Sequence, residues 1–277
     1  MTEVIRPNRQ ARRRRGKSDT AGAVAAALAA LNGEASGTPK SGDGAAESIR
    51  ALQVARRGAV KARTQAGNQL RDLILTAPGQ LRGKLAALTT PRRVTLAARF
   101  RPGDLASPAG AAKAAMAAVA RRHQALTAEI AQLDTSLEAL ARHAAPAGFL
   151  ARAGIGTQVA SILLTTAGDN PGRLRTEASF AALCGSSPVD ASSGKQRRHR
   201  LNRGGDRQAN SALWRIVFTQ MACDPRTQAY VARRTAEGKT RKEIMRCLKR
   251  YVAREICKAL VTQARNPAPG IPLTPAA

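Results

Sequence analysis

The sequence predicts a mainly α protein with a thin core of small aliphatic side chains. Three observations carry that expectation. Hydrophobic residues make up 43% of the chain but aromatic ones only 3%, which favours helix bundles and coiled coils over sandwiches or barrels. Two long stretches, Glu47 to Leu75 and Ala109 to His143, repeat apolar residues at heptad spacing. A third, Thr240 to Gln263, sets Ile244, Leu248, Val252, Ile256 and Leu260 one helical turn apart on a single face. The 277 residues allow one large or two modest domains.

Taken in order, Thr2-Glu3-Val4-Ile5 reads as the end of a strand stopped by Pro7-Asn8, followed by a dense basic run through Arg12 to Arg15. Asp19 is expected to cap a helix from Thr20 to Leu31. Residues 33–44 are rich in Gly, Ser, Pro and Lys and read as a linker. In the first long helix Ile49, Arg56, Arg63 and Leu70 alternate with Leu52, Ala59, Ala66 and Leu73, and Pro78 ends it. Short helical pieces follow, punctuated by Pro91 and Pro102. In the second long helix Val119, Leu126, Leu133 and Leu140 alternate with His123, Ile130 and Leu137. Together the pair predicts an antiparallel coiled-coil arm over 45–145, closed within the chain or shared between subunits. His123 is expected to be a partly buried polar break in the seam rather than a ligand.

Ala153 to Gly168, AGIGTQVASILLTTAG, places Gly154 and Gly156 between two helical pieces. This is a helix-hairpin-helix pattern, in which free N–H groups and a helix N-terminus receive a phosphate. A simple glycine-containing connection fits it too, and Val159, Ile162, Leu163 and Leu164 are core in both cases. Phe180 is expected to point inward, as are Leu213, Ile216 and Val217 of a helix from Asn210 to Met221. Trp214 is expected to pack in the core, with stacking on its neighbours or on a base as the alternative. Residues 265–277 are Pro-rich and expected to be disordered.

Charge points to the partner. Lys and Arg total 46 against 18 Asp and Glu, a net charge of +28, and such an excess calls for a polyanion, DNA or RNA. The densest segment is Ala191 to Leu213. Ser192, Ser193 and Gly194 lead into Lys195, Arg197, Arg198, His199, Arg200, Arg203 and Arg207. A hydroxyl beside arginines suits attack on a phosphodiester whose oxygens the guanidinium groups hold. The plain alternative is a solvated basic loop. The four cysteines, Cys184, Cys223, Cys247 and Cys257, form no CxxC pair, which speaks against zinc and for a reducing compartment. No apolar run approaches the ~18–20 residues of a membrane span, and neither a signal peptide nor a membrane partner is expected; the chain reads as cytoplasmic.

The stretches GIGTQVASILLTTAGD, FAALCGSSPVDASSG and LNRGGDRQANSALWRI together resemble the transposases of the insertion sequence 110 (IS-110) family, whose relatives include IS-116 and IS-902. The resemblance is most specific from Ala153 to Leu260. It implies DNA recombination guided by a structured RNA, a RuvC-like α/β domain whose DEDD acids hold Mg2+, a coiled-coil arm and a C-terminal transposase domain. It places the nucleophilic serine at Ser193, with Ser192 as second choice. DNA contacts then fall to Gly154, Gly156, Lys195, Arg197, Arg198, Arg200, Arg203 and Arg207. The third acid of the family's pattern falls on Asp19, but the fourth position is Gly22, and the first two acids would precede Met1.

The resulting expectation is an N-terminally truncated transposase. Residues 1–32 read as the remnant of the RuvC-like domain, 45–145 as the arm through which copies associate, and 146–264 as a helical, helix-hairpin-helix-like transposase domain. Its metal site is reduced to Asp19, and its activity alone is expected to be weak or absent. The alternatives are a non-catalytic DNA- or RNA-binding remnant that inhibits an intact transposase, and a plain helix-hairpin-helix DNA-binding protein.

Overall fold

The structure is a computed structural model of the chain. It describes residues 18–33, 37–174, 176–190, 192–194, 199–200, 202 and 204–265. The expected strand at residues 2–5, the basic run after it and the tail beyond residue 265 lie outside the described residues. The chain forms two compact units, residues 48–142 and residues 1–47 together with 143–277. The described elements are almost all helices.

The unit of residues 48–142 is built on an antiparallel helix pair. Helix α2 (Ala45–Thr76) and helix α5 (Pro108–Ala144) run in opposite directions, because Arg56 pairs with Asp134 at 2.5 Å while Gln69 accepts from Arg122. Between them lie α3 (Gly79–Ala86) and α4 (Thr90–Ala98), with Pro91 placed in the first turn of α4, where its missing N–H costs nothing. Leu70, Ile74, Ala77, Leu81, Leu85, Val94, Ala97, Met116 and Ala120 form one buried cluster.

Every residue of the heptad rows read in the sequence is buried or half-buried, and the depth of burial divides them. On α5 the buried stripe is Met116, Ala120, Ile130, Leu137 and Ala141; Val119, Leu126, Leu133 and Leu140 are only half-buried. The reason is the partner helix. Its small residues, Ala59 and Ala66, are buried at the contact, and Arg56 reaches over the flank of α5 to bond Asp134 twice. The larger aliphatics are thereby left on the shoulder of the stripe. His123 is half-buried, and its burial, followed by the nearby Arg63 charge, lowers its pKa below the usual histidine value.

The other unit holds the remaining elements. Helix α1 (Asp19–Leu31) is capped by Ser18, whose hydroxyl accepts from the Ala21 N–H. Asp19, expected as the cap, is instead the first helical residue. The stretch read as a linker is bonded to a turn far along the chain: Lys40 donates to the Thr165 carbonyl and the Asn170 amide donates to the Pro39 carbonyl. Asp169 accepts from the Ala46 and Glu47 N–H groups, at 2.6 and 3.2 Å, and so caps α2 from 122 and 123 residues away.

Helix α6 (Thr157–Ala167), a single 3-10 turn (Pro171–Arg173) and α7 (Glu177–Leu183) lead to strands β1 (Val189–Asp190) and β2 (His199–Arg200). Helices α8 (Arg207–Cys223), α9 (Pro225–Ala236) and α10 (Arg241–Arg265) complete the unit. Helix α10 packs on α7 and α8, and α6 packs on α8.

The expected inward faces are buried here. Ile244, Leu248, Val252, Ile256 and Leu260 meet Phe180, Leu213, Ile216 and Val217; Ile162 is only half-buried. Helix α8 starts at Arg207 rather than Asn210 because the Asp206 carboxylate accepts from Gln208 and Ala209. Trp214 is 45% exposed and stacks on Phe218, also exposed, at 5.1 Å between ring centres. Core packing was expected for it, but Ala212, Leu213, Ile216 and Val217 fill the inward arc and leave the tryptophan outside. Among the described residues no helix is long and apolar enough to cross a membrane.

Candidate nucleic-acid interface

The densest basic segment folds as a short hairpin. Val189 pairs with Arg200 and Asp190 with His199, antiparallel. Ser192, Ser193 and Gly194 follow β1 and are all exposed; Gly194 turns the chain at φ +56°. The two serines differ. The Ser192 N–H and hydroxyl both donate to the same Asp190 oxygen, an Asx turn that fixes this residue. The Ser193 hydroxyl makes no hydrogen bond among the described residues.

The base of the hairpin walls a cleft of about 750 Å³. His199, Arg200 and Asn202 form one side, Gly185 to Pro188 another, and α10 the third. Six cations line it, Arg200, Lys239, Arg246, Lys249, Arg250 and Arg254, against one carboxylate, Glu243. That carboxylate is committed elsewhere. It accepts from the Thr240 N–H and hydroxyl while its own N–H donates back to Thr240, a capping box at the start of α10. The Thr240 hydroxyl and N–H hold its pKa below the usual value. The cleft is therefore strongly positive.

Helix α10 is tied to its neighbours through these same cations. Arg246 donates to the His199 carbonyl at 3.3 Å and so fastens β2 to the helix. Arg250 donates to the Glu177 carbonyl, and Arg254 pairs with the Glu177 carboxylate at 2.9 Å. Lys249 is 6% exposed and its ammonium donates to Asn210 Oδ1 at 2.9 Å. The amide of Asn210 in turn donates to the Cys184 and Gly185 carbonyls. Burial, followed by the Arg246 charge, lowers the Lys249 pKa.

Behind this network two chain segments cross at glycines. A Cβ on Gly205 would sit 2.1 Å from the Gly185 nitrogen, and Gly185 itself has φ +63°. Cys184, beside the crossing, is held as a thiol with its pKa pushed up to about 12, by burial first and then by Asp206 and Cys257.

Of the residues expected to bind nucleic acid, Arg200 lines the cleft and Arg207 is exposed at the start of α8. Lys195, Arg197, Arg198 and Arg203 lie outside the described residues. Gly154, at φ +83°, faces the protein's own α8: a Cβ there would lie 2.8 Å from Ile216 Cα. Gly156 is the exposed N-cap of α6. Asp19 is exposed on α1, and among the described residues no three His, Cys, Asp or Glu side chains group as a metal site. Asp19 alone, among the described residues, does not supply the several oxygens in near-octahedral geometry that Mg2+ needs.

The cations of α10 were missed in the sequence, although Arg246, Arg250 and Arg254 repeat at one-turn intervals opposite the apolar face.

Comparison with known proteins bears on this same region. Residues 150–232 match the transposase IS116/IS110/IS902 family over the hairpin and the helices on either side of it. That segment is similar to the transposases of this family. The chain is also similar to the "Insertion element IS110 uncharacterized 43.6 kDa protein" of Streptomyces coelicolor, 34% identical over 119 residues. That alignment covers 43% of this chain and 28% of the relative, so the chain spans little more than a quarter of that protein's length. Within the matched segment lie both serines, Gly154, Gly156 and Arg207. The cleft residues of α10 lie outside the residues that the family match covers.

Proposed function

We propose that the chain acts on DNA as a transposase of this family, with Ser193 as the nucleophile. The single observation that supports this reading best is geometric. Ser193 is exposed and its hydroxyl makes no hydrogen bond among the described residues, and it follows β1, whose partner strand β2 lines a cleft with six cations among the described residues. In the proposed step Ser193 Oγ forms a bond to phosphorus and the scissile P–O bond breaks. The serine proton is lost, the departing strand oxygen gains one, and a phosphoserine link to DNA remains. The cleft cations hold and neutralise the phosphate backbone. The family resemblance adds a structured guide RNA and association of copies through the helix pair of residues 48–142.

A suicide DNA substrate that traps a covalent adduct tests this. Ser193→Ala is expected to abolish the adduct, and Ser192→Ala to retain it. An adduct that survives Ser193→Ala would overturn the assignment.

The second reading is a non-catalytic binder that inhibits an intact transposase. It draws on the same cationic cleft, which can hold a phosphate backbone whether or not a serine reacts with it. Mixing it with a full-length family transposase separates the two readings: dominant inhibition supports the second, and unaided Ser193-dependent recombination removes it.

A further inference from the structure

We propose that Lys249 is a built phosphodiester-binding residue, held ready by Asn210 at the inner wall of the cationic cleft. The inference rests on the nucleic-acid reading above, but it does not depend on Ser193 chemistry.

The argument starts from cost. An ammonium group taken out of water is destabilising unless it gains a compensating charge. Lys249 is 94% buried by its exposure of 6%, and the hydrogen bond it makes among the described residues is to a neutral amide oxygen. The surrounding cations make its charge harder to hold: Arg246 acts on it directly, and Arg250 is the next residue on the same helix. A lysine that served packing alone would be better replaced by an aliphatic residue of the same length. An anion entering the cleft supplies the missing charge.

The chemistry of the cleft selects the kind of anion. Its one carboxylate is turned back into the capping box of α10. Arg246 and Arg250 already donate to protein carbonyls and keep their full charge. A row of cations along one helix, Arg246, Arg250 and Arg254 one turn apart, of which Arg254 is paired with Glu177, matches the regular charge of a nucleic-acid backbone better than a single small ion. The position of Asn210 also matters. It fixes the lysine at 2.9 Å and fixes the Gly185 carbonyl at 3.0 Å, so the ammonium is preorganised beside a residue that lines the cleft and loses little freedom on binding.

DNA and RNA share this chemistry, and the test separates them. Binding of the full chain to a labelled DNA duplex, a DNA single strand and an RNA hairpin is followed by fluorescence anisotropy across a salt series. The variants are Lys249→Met and Lys249→Gln, the second of which keeps a donor for Asn210. Arg142→Gln, an exposed change in the unit of residues 48–142, removes the same charge elsewhere.

The expectation is a loss of about tenfold or more for both Lys249 variants, and a salt slope on duplex DNA shallower by about 0.9, one phosphate contact. Arg142→Gln is expected to stay within about twofold. The melting temperature of the free Lys249→Met protein is expected not to fall, since a buried charge has been removed. A loss confined to the DNA or to the RNA arm identifies which nucleic acid uses the site. Variants that fold and bind with wild-type affinity and slope overturn the proposal. Wild-type protein that binds none of the three probes overturns the nucleic-acid reading itself.

Discussion

Gly205→Ala is expected to be severely destabilising, and the structure gives the size of the effect. A Cβ at position 205 would lie 2.1 Å from Gly185 N, 2.4 Å from Gly185 Cα and 2.9 Å from the Cys184 carbonyl carbon. Ordinary contact needs roughly 3.5 Å or more, so the two segments must part by more than about 1 Å. All three obstructing atoms are backbone, and no rotamer change relieves them. Parting the segments breaks what holds them together: the Asp206 N–H to Leu183 carbonyl bond at 2.7 Å, and the Asn210 amide bonds to Cys184 and Gly185 at 2.9 and 3.0 Å. Three such bonds contribute about 0.5–1.5 kcal/mol each, and overpacking adds about 1–3 kcal/mol. The expected cost is roughly 2.5–7.5 kcal/mol, comparable to the whole stability of many domains. Gly204→Ala is the control, because its Cβ would meet only the Asn202 side chain, at 3.2 Å; less than about 1 kcal/mol is expected there. Urea unfolding followed through Trp214, the one tryptophan, reads the unit that contains the crossing. A Gly205→Ala protein that unfolds within about 1 kcal/mol of Gly204→Ala would refute the reasoning.

Other perturbations probe different contacts. Asp169→Ala removes the acceptor of two N–H groups at the start of α2 and is expected to cost about 1–2 kcal/mol in thermal melting, while Asp169→Asn, which keeps one acceptor, loses less. His123 sets a pH dependence. Its folded pKa lies below the unfolded value, through burial and then Arg63, so the unfolded chain binds the proton more readily. Its neutral form is therefore tolerated without cost above pH ~6.5, and stability falls as pH drops from there toward the lowered folded value, by at most about 1.4 kcal/mol per pH unit. His123→Gln is expected to flatten that part of the curve in denaturant titrations at pH 5.5 and 7.5.

Features that depend on neighbours a few residues away were legible in the sequence. The apolar face of α10 and the inward side chains of α8 follow from a helical repeat, and the structure buries them. The helix pair was legible as two long helices whose heptad rows are buried or half-buried throughout, but how deeply each residue is buried was not legible. Which of two adjacent apolar rows faces inward depends on what the partner offers, and here the partner offers alanines and an arginine that reaches Asp134. Trp214 was misplaced for the same reason, since the neighbouring Leu213 and Ile216 had already filled the inward arc.

The candidate site shows the limit more sharply, because its parts are distant in sequence. Gly204 and Gly205 are adjacent and chemically identical, yet one faces a side chain and the other a backbone. Ser192 and Ser193 are adjacent as well, and only the Asp190 contact separates a tethered hydroxyl from an uncommitted one. The basic segment was conspicuous as a run of arginines, but the cleft beside it takes most of its charge from α10, reached through Arg246 to His199 across 47 residues and Lys249 to Asn210 across 39. A run of like charge in sequence names the partner. It takes a second element, brought in by the fold, to make a concave site that excludes water from a charged group and so makes one phosphate contact worth more than another. For that reason the decisive comparison is between charge in the cleft and equal charge outside it. If Lys249 and Arg142 contributed alike, net charge alone would govern binding and the cleft would have no special role.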